Sequence, residues 1–163
     1  MRSDRPKPLH LICGRPMVMH VIHSLEAVEP ARTVVVVGHG AERVTKRVQN
    51  DAPSWAAVTF AEQVVQRGTG DATLVGLDAL DSSGVFGASS DPDDTSTVLV
   101  LTGDTPLLRK ETIDELVTHH ESNALGATVL VSNLDDATGY GRIIRAKNGR
   151  VQRIVEQRDA TDD

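Results

Sequence analysis

Aromatic residues are scarce, with Phe, Trp and Tyr together making up 2% of the 163 residues. The core must therefore be aliphatic, built from Val, Leu, Ile and Ala. The single cysteine, Cys13, excludes an intrachain disulfide and fits a reducing cytoplasm. As a lone thiol it reads as a small buried hydrophobe rather than a nucleophile. Positive charge is in deficit: 17 Lys and Arg against 23 Asp and Glu give a net charge of -6. That argues against general nucleic-acid binding, because no excess positive field meets the phosphates. One bound nucleotide is still compatible, since Mg²⁺ brings positive charge locally. No apolar run approaches the roughly 20 residues of a membrane span. The first residues carry charges and prolines rather than the apolar stretch of a secretory leader. No internal repeat is visible.

What remains is an ordinary globular composition, 39% hydrophobic and 25% charged, on a length that suits one domain. Residues 1–16 read as a loop, because Pro6, Pro8 and Pro16 block a continuous helix. Apolar residues at helical spacing predict a helix over 17–28. The β-branched run 32–38 predicts a strand buried on both faces, as in a parallel sheet covered by helices. A helix over 41–49, a strand over 56–62 and a helix over 70–80 follow. Residues 82–96 are small, acidic and polar and read as a mobile surface loop. Residues 97–102 (TVLVLT) read as the clearest buried strand, and 110–121 as a helix. Residues 124–134 read as a further strand, and 141–156 as a hairpin turned at Asn148-Gly149. This alternation predicts an α/β fold with a mostly parallel, doubly wound sheet. In such sheets ligands bind past the carboxyl ends of the strands, where polar residues converge.

Several residues stand at such ends. Asp104 follows the 97–102 run, as a rigidly held carboxylate suited to Mg²⁺ or as a cap of the next turn. Lys7 lies between two prolines that hold the backbone extended; its ammonium can pair with phosphate or simply lie in solvent. Gly68-Thr69-Gly70 opens a helix with free N–H groups, or is only a turn. Gln63, just upstream, has the donor and acceptor needed to read a base edge, or is a solvated strand end. Gly139-Tyr140-Gly141-Arg142 is a tight turn, and Glu156 closes the second hairpin strand. The six histidines show no metal-ligand spacing, and His119-His120 reads as an exposed helix face.

Eight segments occur in order: Pro6-Lys7-Pro8-Leu9-His10, Gly14-Arg15-Pro16-Met17, His20-Val21-Ile22, Val37-Gly38-His39-Gly40, Gly68-Thr69-Gly70-Asp71-Ala72, Gly103-Asp104-Thr105-Pro106-Leu107, Gly139-Tyr140-Gly141-Arg142-Ile143 and Val155-Glu156-Gln157-Arg158-Asp159-Ala160. Together they resemble the uridyltransferase domain of the bacterial bifunctional N-acetylglucosamine-1-phosphate uridyltransferase / glucosamine-1-phosphate acetyltransferases. The resemblance implies a Rossmann-like nucleotidyltransferase fold over 1–163. It implies Mg²⁺-dependent transfer of UMP from UTP to N-acetylglucosamine 1-phosphate, giving UDP-N-acetylglucosamine and pyrophosphate for peptidoglycan precursors in the cytoplasm. It further implies that Lys7 contacts phosphate, and that Gln63, Gly68 and Thr69 contact uracil. Gly103 would lie beside the nucleotide, Asp104 would bind Mg²⁺, and Gly141 and Glu156 would contact the sugar. Lys7 and Asp104 would then be the catalytic pair.

The sequence also departs from that family. The family opens with a strand and a loop of the form Leu-Ala-Ala-Gly-x-Gly-Thr-Arg-Met. Met1-Arg2-Ser3 lines up with the end of that loop, so the first strand and phosphate loop are expected to be missing. The asparagines that complete the sugar and Mg²⁺ contacts lie past the matching region. So does the β-helix acetyltransferase domain, through which full-length members are expected to trimerise. Asp71 stands where the family usually has His. The resemblance thus points to an impaired fragment. The alternatives are a related sugar-phosphate or molybdopterin nucleotidyltransferase and a non-catalytic nucleotide-binding remnant.

Overall fold

The computed structural model describes residues 4–82, 96–155 and 157–159. The chain divides into two units, Met1–Thr128 and Val129–Asp163.

The first unit opens with a 3-10 turn at Lys7–Leu9 and a small antiparallel hairpin of β1 (Leu11–Ile12) and β2 (Arg15–Pro16). Part of the expected loop over 1–16 therefore forms regular elements. Its two-residue turn carries positive φ at both Cys13 (49°) and Gly14 (80°), the pattern whose twist matches paired strands. Cys13 is consequently exposed at the hairpin tip, not buried as the sequence suggested.

α1 (Met17–Ser24) follows at once and continues as a 3-10 turn through Leu25–Ala27. It buries Val18, Met19 and Ile22. β3 (Thr33–Val37) and β4 (Val58–Glu62) pair in parallel, in register from Thr33–Val58 to Val37–Glu62. α2 (Ala41–Asp51) crosses between them. Its apolar residues are spaced so that Val44 and Val48 share one buried face, while Glu42, Arg43, Lys46 and Arg47 turn away from it. Burying those two valines is worth about 1.5–3 kcal/mol each.

The strand alternation assigns the two faces of the pair. Val35 and Val37 pack with α1 and α2 in the main core, together with Val58 and Phe60. Val36 points the other way, towards Gly76 of α3 (Thr69–Ser82), where a Cβ would lie 3.2 Å from Val36 Cγ2. The sheet is thus covered on both faces, as a continuous β-branched run requires.

Two strand expectations fail. Residues 97–102 form no helix and no ladder among the described residues. Their exposure still alternates: Val98 and Val100 are exposed, and Thr97, Leu99 and Leu101 half-buried. The side chains have strand periodicity, but no described neighbour supplies hydrogen bonds, and a strand exists only as a paired element. Residues 124–134 likewise form no strand, and Val129, Leu130 and Val131 are exposed. The described residues form three two-stranded sheets, and the parallel pair β3–β4 with its crossing helix is the α/β element the expected fold is built on. The loop expected over 82–96 falls almost wholly outside the described residues.

α4 (Lys110–Ser122) completes the first unit and buries Ile113. His119 is exposed, but His120 is half-buried with Nδ1 3.0 Å from Thr128 Oγ1, so only one of the pair lies on the open helix face.

The second unit holds the predicted hairpin, β5 (Arg142–Arg145) and β6 (Val151–Val155). Its turn differs in detail from the two-residue form. Gly149 N–H donates to Ala146 O at 2.9 Å, and Gly149 alone has positive φ, 81°. Asn148 Oδ1 accepts from Arg150 N–H at 3.1 Å. The register shifts between Ile144 and Arg145, so a type I turn with a glycine bulge joins the strands.

Candidate functional site

Lys7 and Asp104 are 97 residues apart, yet Lys7 Nζ donates to Asp104 Oδ2 at 2.5 Å. Each is positioned by its own segment. Lys7 is not in extended backbone as expected. It begins the 3-10 turn, after Pro6 at φ -51° and ψ 138°. Pro6 in turn rests on Gly40, which has φ +74°, and a Cβ there would sit 2.6 Å from Pro6 Cγ. Arg43 Nη1 donates to Asp4 O at 2.7 Å, tying the same segment to α2.

Asp104 sits in the turn after the apolar run 97–102. Thr105 Oγ1 donates to Thr102 O at 2.9 Å, and Leu108 N–H to Thr105 O at 3.2 Å. Thr105 therefore closes this turn, while the Asp104 carboxylate accepts from Lys7. The hydrogen bond from Lys7 is the main reason that carboxyl is held below its ordinary value, opposed by partial burial. In such a pair the ionised carboxylate can meet a metal cation and the ammonium beside it a phosphate. Gly103 lies against α1, where a Cβ would be 3.9 Å from Val18 Cγ2.

A second cluster forms at the carboxyl end of β4. Gln63 extends the ladder by donating its N–H to Val37 O at 2.8 Å. Its side chain is buried, not solvated. Gln63 Nε2 donates to Gly68 O at 3.2 Å and to Asp71 Oδ2 at 2.7 Å. Gly68 has φ +103°, which turns the chain into α3 at Thr69. Gly68 and Thr69 are both exposed at that helix start. The Asp71 contact has little local signature. Its only sequence signal was an acid eight positions after a glutamine, across a glycine turn.

In the second unit, Gly141 lies against β6, where a Cβ would be 3.4 Å from Val155 O. Gly139 N–H donates to Gln157 Oε1. Arg142 Nη1 donates to Ala137 O at 2.8 Å and fastens the turn. Tyr140 is exposed. Glu156 lies outside the described residues.

Among the described residues no group of three or more His, Cys, Asp and Glu could together hold a metal ion. Asp104 is therefore a single-carboxylate candidate. No described helix is long and apolar enough to cross a membrane.

A parallel β-α-β pair with helices on both faces, and polar groups gathered past its strand ends, defines an α/β nucleotide-binding domain of Rossmann-like type. More particularly, the chain belongs to the family of MobA-like NTP transferase domains, whose model matches residues 1–142, and so is a nucleotidyltransferase domain. It is 45% identical over 163 residues to the bifunctional protein GlmU of Thermobifida fusca, covering 100% of this chain and 32% of that protein. It is 48% identical over 162 residues to the bifunctional protein GlmU of Ralstonia nicotianae, covering 99% and 31%. The corresponding protein of Mycobacterium avium is 42% identical over 164 residues, covering 99% and 31%. The chain thus spans about a third of the length of the curated relatives it matches.

Proposed function

We propose that this domain transfers UMP from UTP to N-acetylglucosamine 1-phosphate, releasing pyrophosphate and forming UDP-N-acetylglucosamine in the cytoplasm. The observation that carries the reading is the Lys7–Asp104 contact, which brings together the two residues singled out for phosphate and metal. The likeness to the GlmU proteins and the Gln63 cluster support the base and sugar.

In the reaction a phosphate oxygen of the sugar phosphate attacks the α-phosphorus of UTP. The bond from that phosphorus to the bridging oxygen breaks, and pyrophosphate leaves with the electron pair. Such chemistry asks the protein for positioning and charge neutralisation, not covalent catalysis. The Lys7 ammonium would neutralise phosphate charge. Asp104 supplies one hard, ionised oxygen donor, which suits Mg²⁺ completed by phosphate oxygens and water. Bound there, Mg²⁺ would supply charge stabilisation of the phosphates. Gln63, Gly68 and Thr69 would hold uracil; Gly103 would flank the nucleotide; Gly141 and Glu156 would meet the acetylglucosamine.

Titrating UTP, CTP, ATP and GTP with and without Mg²⁺, alongside pyrophosphate release with N-acetylglucosamine 1-phosphate, tests the reading. UTP should bind best. Lys7→Ala should weaken it about tenfold, the worth of one charge-assisted contact. Asp104→Asn should remove the Mg²⁺ dependence and lower any turnover by about 10²–10³. Turnover by this chain alone should be slow, because Lys7 is the cation the described residues set against Asp104. Preference for another base, with UTP binding insensitive to both substitutions, would sink the assignment in favour of a related nucleotidyltransferase. UTP binding without any turnover would mark a nucleotide-binding remnant.

A further inference from the structure

Resting on the uridine reading above, we propose that Asp71 is a positioning residue for base selection: it fixes the Gln63 amide so that only its carbonyl oxygen is offered to the base. Gln63 Nε2 carries two N–H donors, and both are directed at oxygen acceptors: Asp71 Oδ2 at 2.7 Å and Gly68 O at 3.2 Å. A carboxylate and a backbone carbonyl accept and never donate. The opposite rotation of the amide would set Oε1 against both of them. The orientation is therefore dictated by chemistry as well as by coordinates.

Oε1 accepts no hydrogen bond from the described residues, and it is not sealed from solvent. The side chain is otherwise buried, anchored at a ladder position by its own N–H to Val37 O. What Gln63 presents is thus a fixed acceptor, not the ambiguous donor-acceptor pair of a free glutamine. An acceptor meets the N3–H of uracil or thymine. It faces a lone pair at N3 of cytosine and at N1 of adenine. Asp71 acts through Gln63 and need not touch the nucleotide.

UTP and CTP have the same ring size and the same triphosphate, so their affinity ratio isolates the base edge. The test measures UTP, dTTP and CTP affinities by calorimetry with Mg²⁺ on the full 163-residue chain, in wild type, Asp71→Leu and Asp71→Asn, with melting curves for each. Wild type should favour UTP and dTTP over CTP. Asp71→Leu, which frees the amide to rotate, should reduce the UTP/CTP ratio about tenfold, the scale of one hydrogen bond made or lost. Asp71→Asn keeps an acceptor towards Gln63 and should restore most of the ratio. A merely structural role would lower all three affinities together and leave the ratio alone; that result overturns the proposal while the uridine reading stands. Should Asp71→Leu unfold, an unchanged ratio in Asp71→Ser would overturn it equally. A wild type that does not discriminate UTP from CTP overturns both.

Discussion

At the scale of single residues, the Lys7–Asp104 contact contributes far more to charge placement than to stability. The Lys7 side chain is 64% exposed and that of Asp104 34%, so water screens the pair and its net worth is at most about 1 kcal/mol. Its pH dependence has a definite sign. Asp104 is held below its ordinary value of 3.8 in the folded state, mainly by the Lys7 hydrogen bond. The unfolded state therefore takes up its proton first as acid is added. The contribution is fully present above about 3.8 and is lost as pH falls through the lower folded value. Urea unfolding of Asp104→Asn should show a deficit below about 1 kcal/mol at pH 7 that closes below pH 3.8. A deficit that grows on acidification would contradict the assignment. This pair was half legible in the sequence. Each residue is marked by its place after a proline or an apolar run, but a partnership across 97 positions depends on tertiary packing. Gln63 stands out in the sequence as a candidate base reader, yet the hydrogen bond that orients its amide reaches Asp71, eight positions on, which no local pattern announces. Cys13 was misplaced because a two-residue hairpin turn reads in sequence as an ordinary loop.

At the scale of elements, helices were read well because their signal is periodic and self-contained. Val44 and Val48 mark the buried face of α2 at a spacing no strand would give. Strands were read less well, because a strand needs a partner. The Val34–Val37 stretch found β4, whereas Val98–Leu101 has equal apolar content and no described ladder. The connection between β3 and α2 shows how an element positions the site. Gly40 has φ +74°, and its missing side chain gives Pro6 room to pass. Gly40→Ala would force a Cβ to 2.6 Å from the Pro6 ring in a backbone region alanine dislikes. We expect a loss of about 1–3 kcal/mol in chemical denaturation. UTP affinity should fall as well, because the strain is relieved by moving Pro6 and hence Lys7. A variant as stable as wild type with unchanged UTP binding would show that Lys7 is placed by something else.

At the scale of the whole molecule, the described surface carries strand-like apolar sequence without ladder partners. Val98 is 40% exposed and Val100 59%. An isolated pair such as β3–β4 is also shorter in strand number than an independently stable sheet requires. Extended, β-branched, uncharged runs are templates for pairing with other chains. The protein is therefore expected to self-associate as its concentration rises, with a scattering-derived mass above 17.5 kDa and a broad thermal transition. The exposed positions offer a way to separate association from folding. Val98 and Val100 alternate with half-buried Leu99 and Leu101, so lysines at the outer positions leave the inner face intact. Val98→Lys with Val100→Lys should change folding stability by no more than about 0.5 kcal/mol per site, as surface substitutions do. The same charges should oppose edge-to-edge pairing and shift the scattering mass towards the monomer. If association persists unchanged in the double variant, the contact lies elsewhere, and the exposed Val129–Val131 run becomes the next surface to charge.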